Sequence, residues 1–189
     1  LALGLTSRRT GISGSLIHFL DRHPMPAVIT PMAKGILPEG HPCYAGVLFH
    51  ALSGKLASIL EQADLVISLG YDPVELNFEE WMPGVPLVSF NTIPIDMPGT
   101  LENIQAAGDL AAALELLSDL MDRRFSWGNE EVSTVRKEIE FEISACCGRF
   151  GPVAAFQALM EELPEESVIT SDVGSHLHLL GQIWKTSNP

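Results

Sequence analysis

The chain has 189 residues, 24 acidic and 11 basic, giving a formal net charge of −13 with its six histidines neutral. A content of 46% hydrophobic and 19% charged residues belongs to a globular chain long enough to bury a core, so disorder as the main state is excluded. The acid excess, with a pI near 4.7, excludes general binding along nucleic-acid phosphates, and no run approaches the about 18 apolar residues of a membrane span.

The three cysteines, Cys43, Cys146 and Cys147, are an odd count with two adjacent. That pattern suits reduced thiols of a cytoplasmic chain rather than a disulfide framework or a metal knuckle. The opening apolar run, residues 1–5, has no basic leader of a signal peptide and reads as a strand. Residues 12–23 follow as a helix with Ile12, Leu16, Phe19 and Leu20 on one face, closed by Pro24 and Pro26. Residues 27–30 are a second strand and 31–42 a long loop rich in glycine and proline. Residues 47–62 carry Leu48, Leu52, Leu56, Ile59 and Leu60 at helical spacing.

Residues 65–69, apolar apart from Ser68, read as a strand of the kind expected where both faces are covered. Strands at 87–90 and 103–107 and an Ala/Leu-rich helix at 110–121 complete an alternation that predicts an α/β fold with a doubly wound parallel sheet over residues 1–121. Residues 122–150 are expected to link two domains, with a charged helix at 130–142 that has few core positions. A second, incomplete α/β segment spans 151–189: a helix from Pro152 to about 162, a strand at 168–170 and a helix over 177–184.

Three segments carry the candidate chemistry. Ser171-Asp172-Val173-Gly174-Ser175-His176 lies between a predicted strand and a helix, where unpaired N–H groups and a partial positive charge suit an anion. The plain alternative is a turn with Asp172 or Ser175 as helix cap. In the loop at 31–42, Lys34 either meets an anionic cofactor or is solvated. Asp72 and Glu75, after the third strand, are open to acid, base or ribose-binding roles, although a Gly-x-Asp-Pro turn needs none and is the better reading. His18, His23, His50 and His178 have no third ligand at metal spacing, and His176 and His178 diverge, so no metal is assigned. No dinucleotide or phosphate-loop glycine signature occurs.

Taken together these segments resemble the thiamine-diphosphate (ThDP) enzymes of the acetolactate synthase and decarboxylase family. Thr30-Pro-Met-Ala-Lys-Gly-Ile-Leu-Pro-Glu-Gly-His-Pro42 is similar to the family's central-domain signature, and Ala63 to Gly70 to its next strand. Gly70-Tyr-Asp-Pro-Val-Glu75 and Ser171-Asp-Val-Gly-Ser-His176 are similar to the catabolic, FAD-independent acetolactate synthases. The resemblance covers nearly the whole chain.

It implies that residues 1–121 are a central domain and 151–189 the opening of a diphosphate-binding domain. Gly174, Ser175 and His176 would lie near the ThDP diphosphate, and no catalytic residue or metal ligand falls within the chain. The Mg²⁺ motif and the rest of the diphosphate-binding domain are expected beyond Pro189, and the pyrimidine-binding domain, with its activating glutamate, before Leu1. These parts are the expected partners, together with further copies in a homo-oligomer; nucleic acid and membranes are not. The intact parent would decarboxylate a 2-oxo acid such as pyruvate and join the product to a second carbonyl, while this chain, as a fragment, is expected to be inactive alone. The alternatives are nucleotide binding by the central domain, since some relatives hold FAD there, or a purely assembly role. The resemblance to flavin-free members ranks FAD second.

Overall fold

Short aliphatic runs flanked by amphipathic helices can bury both faces of a parallel sheet, and the computed structural model of the chain has that form. It describes residues 1–48, 51–76, 84–97, 103–121, 128–145, 151–164 and 166–186. The strands are β1 (Ala2–Leu3), β2 (Ala27–Ile29), β3 (Tyr44–Val47), β4 (Val66–Leu69), β5 (Leu87–Asn91) and β6 (Asn103–Ala107). The helices are α1 (Leu5–Arg9), α2 (Ser13–Arg22), α3 (Gly54–Glu61), α4 (Leu110–Leu120), α5 (Asn129–Ala145), α6 (Pro152–Glu162) and α7 (Ser175–Ile183). Among the described residues no helix is long and apolar enough to cross a membrane.

All six strands are parallel, in the order β3-β2-β1-β4-β5-β6. The order reverses between β1 and β4, the topological switch point at which open α/β sheets leave a crevice beyond their carboxyl ends. Successive strand residues face opposite sides. Leu3 and Ile29 therefore join Leu16, Phe19 and Leu114 in one core, while Ala2 and Val28 join Leu56, Ile59 and Ile139 in the other. Each buried Leu, Ile or Phe contributes about 1.5–3 kcal/mol relative to exposure, so the sheet is fixed by its two covers.

Local chemistry sets the helix ends. Asp109 caps α4, its Oδ1 accepting from the Ala111 and Ala112 N–H groups at 2.8 and 3.0 Å. α2 stops at Arg22, just before Pro24, because the residue preceding a proline avoids helical geometry.

The structure differs from the sequence reading in five places. The first strand ends at Leu3 and α1 begins at Leu5, since the Leu5 N–H is captured by a carboxylate rather than by a neighbouring strand. β3 arises where loop and helix were expected; its four residues bury completely beside β2. The helix expected from residue 47 starts only at Gly54, after Leu52 at φ 64°, and His50 lies outside the described residues. α5 was expected to have few core positions, but it buries Val132, Val135, Ile139 and Ile143, at helical spacing. Residues 168–170 form no strand, and Val168 is 88% exposed, because a strand needs a neighbouring ladder to satisfy its backbone. Cys43 is a buried free thiol; Cys146 and Cys147 lie outside the described residues.

Candidate functional site

The switch-point crevice is filled by the chain itself. Gly70, at φ 59°, ends β4, and a Cβ there would lie 2.2 Å from the Ser7 nitrogen; one on Gly4 would lie 2.3 Å from the Tyr71 Cα. Only glycines let the two strand ends approach so closely. Into this space Glu75 places its carboxylate. Its Oε1 and Oε2 accept from the Leu5 N–H at 3.0 and 2.9 Å, Oε1 from the Asp72 N–H at 3.1 Å, and Oε2 from the Thr30 hydroxyl at 2.6 Å. Burial pushes the Glu75 pKa up, and the bonds from Thr30, Leu5 and Asp72 pull it back. Asp72 caps the turn, accepting from the Val74 N–H at 3.0 Å. Asp72 thus follows the turn reading, whereas Glu75 ties the ends of β1, β2 and β4 together.

The loop at 31–42 is largely packed against the sheet, with Met32, Gly40 and Pro42 exposed. It begins as a turn of 3₁₀ helix, Pro31–Ala33, and buries Ile36 and Leu37 in the first core. Lys34 is paired within the chain: its Nζ is 2.7 Å from Glu39 Oε1, with side chains 15% and 8% exposed. Burial pushes the Lys34 pKa down and the Glu39 charge opposes this. His41 Nδ1 accepts from the Cys43 N–H at 3.2 Å. His23, read as no metal ligand, is buried with its Nε2 3.1 Å from the Ser118 hydroxyl.

Gly174, Ser175 and His176 stand together at the start of α7. Gly174 is the N-cap, in extended backbone and without a side-chain cap, so neither Asp172 nor Ser175 closes the helix as the plain turn reading required. Asp172 instead accepts from the Val173 N–H at 2.7 Å. The His176 imidazole folds back over Gly174, where a Cβ would lie 2.8 Å from its Nδ1. Ser175 and His176 are exposed. A nine-residue helix starting at an uncapped glycine, with a hydroxyl and an imidazole beside it, fits the anionic end of a diphosphate. Among the described residues no group of three or more His, Cys, Asp or Glu side chains could hold a metal ion, so they fit the diphosphate and not its metal.

Sequence reasoning missed Thr30, Glu39, Gln182 and Thr186 as working residues. Apart from Lys34, five residues from Glu39, their partners lie far away in sequence, and no local spacing signals them.

A parallel sheet in this order, with helices on both faces, defines a doubly wound α/β fold of the dinucleotide-binding type. The family model described as thiamine pyrophosphate enzyme, central domain, matches residues 1–117, and the chain belongs to that family. It is 24% identical over 176 residues to the acetolactate synthase isozyme 1 large subunit of Escherichia coli (strain K12), an alignment covering 89% of this chain and 31% of that protein. It is 27% identical over 126 residues to the catabolic acetolactate synthase of Raoultella terrigena, covering 62% of this chain and 22% of that protein. A shorter stretch of 52 residues is 42% identical to pyruvate decarboxylase isozyme 1 of Saccharomyces cerevisiae, 27% of this chain and 9% of that protein. The chain thus spans less than a third of the length of these relatives.

Proposed function

We propose that the chain is part of a ThDP-dependent enzyme that decarboxylates a 2-oxo acid such as pyruvate and joins the product to a second carbonyl compound. In this reading residues 1–121 are the central domain, 122–150 a linker and 151–189 the opening of the diphosphate-binding domain. The observation that carries it is the uncapped start of α7 at Gly174 in a chain of this family. When bound, the cofactor supplies the electron sink through which a 2-oxo acid loses carbon dioxide. The chain's own task is to hold the diphosphate: the first N–H groups of α7 donate to it, and Ser175 and His176 add donors from the side, the imidazole already lying over Gly174. Mg²⁺ and the pyrimidine ring would be held by parts of the enzyme outside these residues. Homo-oligomeric assembly and a cytoplasmic location complete the proposal.

Nucleotide binding by the central fold is the poorer reading, because Glu75 already uses the donors of the switch-point crevice and would repel a second anion.

Nuclear magnetic resonance of the chain titrated with inorganic pyrophosphate tests the site. Amide shifts should appear first at Ser175, His176 and Leu177; shifts first at Leu5 and Asp72 would move the site to the switch point and sink the assignment. The chain alone, given pyruvate, ThDP and Mg²⁺, should form no acetolactate, and a sample mixed with FAD should emerge colourless from gel filtration.

A further inference from the structure

Three contacts tie α7 and the extended segment after it to the central sheet and its loops. The His178 carbonyl accepts from the Ala51 N–H at 3.3 Å. The Gln182 amide straddles Val47 at the end of β3, its Nε2 donating to the carbonyl at 2.9 Å and its Oε1 accepting the N–H at 3.4 Å. Thr186 donates its backbone N–H to Glu39 Oε2 at 2.7 Å and its hydroxyl to Oε1 at 2.8 Å.

Each partner has a reason to need this contact. β3 is an edge strand, whose outward N–H and C=O groups lack a ladder partner; Gln182 supplies both halves of that ladder for Val47. Glu39 is a buried carboxylate paired with Lys34, and such a pair is tolerable only when its remaining lone pairs are also hydrogen-bonded. Thr186 supplies the two further donors. The apolar contacts of α7, through Leu179 and Ile183 against the second core, are four residues apart and alone would allow the helix to slip by a turn, about 5.4 Å. The polar contacts forbid that slip.

We propose that Glu39 and Gln182 are positioning residues, forming a latch that fixes α7 on the open edge of the sheet and so sets where Gly174, Ser175 and His176 present their donors. The long loop at 31–42 is the socket of this latch, and Lys34 holds Glu39 in it. The latch stands on its own geometry; its bearing on the cofactor rests on the diphosphate reading above.

Hydrogen exchange of the chain decides the latch. In Gln182→Ala the amides of Leu177 to Trp184 should exchange about tenfold faster, as expected for the loss of two hydrogen bonds, with β4 and β5 unchanged. Glu39→Gln should do the same, and Thr186→Ser, which keeps both donors, should retain the parent rates. Unchanged α7 exchange in Gln182→Ala, or equal acceleration across the whole chain, would overturn the latch. The pyrophosphate titration then separates the two ideas. Weaker shifts at Ser175 and His176 in Gln182→Ala than in the parent support positioning, and equal shifts overturn it. No shift in the parent would fell the diphosphate reading while exchange still decides the latch.

Discussion

Glu75 shows how much one residue can organise. Its carboxylate satisfies donors from positions 5, 30 and 72, which otherwise face one another without an acceptor. Unsatisfied buried donors cost about 1–3 kcal/mol each, so Glu75→Ala should lower the unfolding free energy by about 3 kcal/mol in urea titrations. The carboxyl also has a pH signature. Burial raises its folded pKa, so the folded chain holds the proton more tightly than the unfolded one. The resulting stabilisation is full below the unfolded pKa and is lost as pH rises through the folded pKa. The stability of the parent relative to Glu75→Gln should therefore fall as pH rises from the ordinary glutamate value of about 4 through the raised folded pKa; a flat difference would contradict the burial. The turn at Asp72 was legible because its cap is local. Glu75 was not, because nothing near it in sequence names Leu5 or Thr30.

At the scale of elements, periodicity identified α2 and α4 well, since their apolar residues recur at three and four, and the short, largely apolar runs of β4 and β5 announced buried strands. β3 escaped because Tyr44–Val47 is only four residues long and follows a proline-rich loop. α5 was read from its charges, while the face that matters is its apolar one. Ile139→Ala should accordingly cost about 2–4 kcal/mol, against under about 0.5 kcal/mol for a solvated linker helix, as read by thermal or urea unfolding. The junction of β4 with α1 makes a sharper demand. Gly70→Ala would force a Cβ against the Ser7 backbone at positive φ, and about 3 kcal/mol should be lost through strain and overpacking.

For the whole molecule, the charge of −13 opposes association of copies at neutral pH, whereas exposed apolar side chains favour it. Leu116 and Leu120 lie four apart on α4 at 58% and 70% exposure, and Ile104 on the edge strand β6 is 69% exposed. Exposed apolar groups of this kind promote association. Sedimentation equilibrium should show an average mass that rises with protein concentration, more steeply as pH falls toward 4.7, and Leu116→Lys with Leu120→Lys should reduce it.

The sequence by itself determined the fold class, the family, most of the helices and strands of residues 1–121 and the grouping of Gly174, Ser175 and His176, because each is written in local composition, periodicity or a contiguous motif. Only the tertiary structure decided the strand order, the capture of Glu75 at the switch point and the joining of Glu39 and Val47 to the segment after Gly174. A carboxylate reads the same in sequence whether it meets solvent, a cofactor or a backbone N–H. Its role is set by which distant donors the folded sheet brings within about 3 Å.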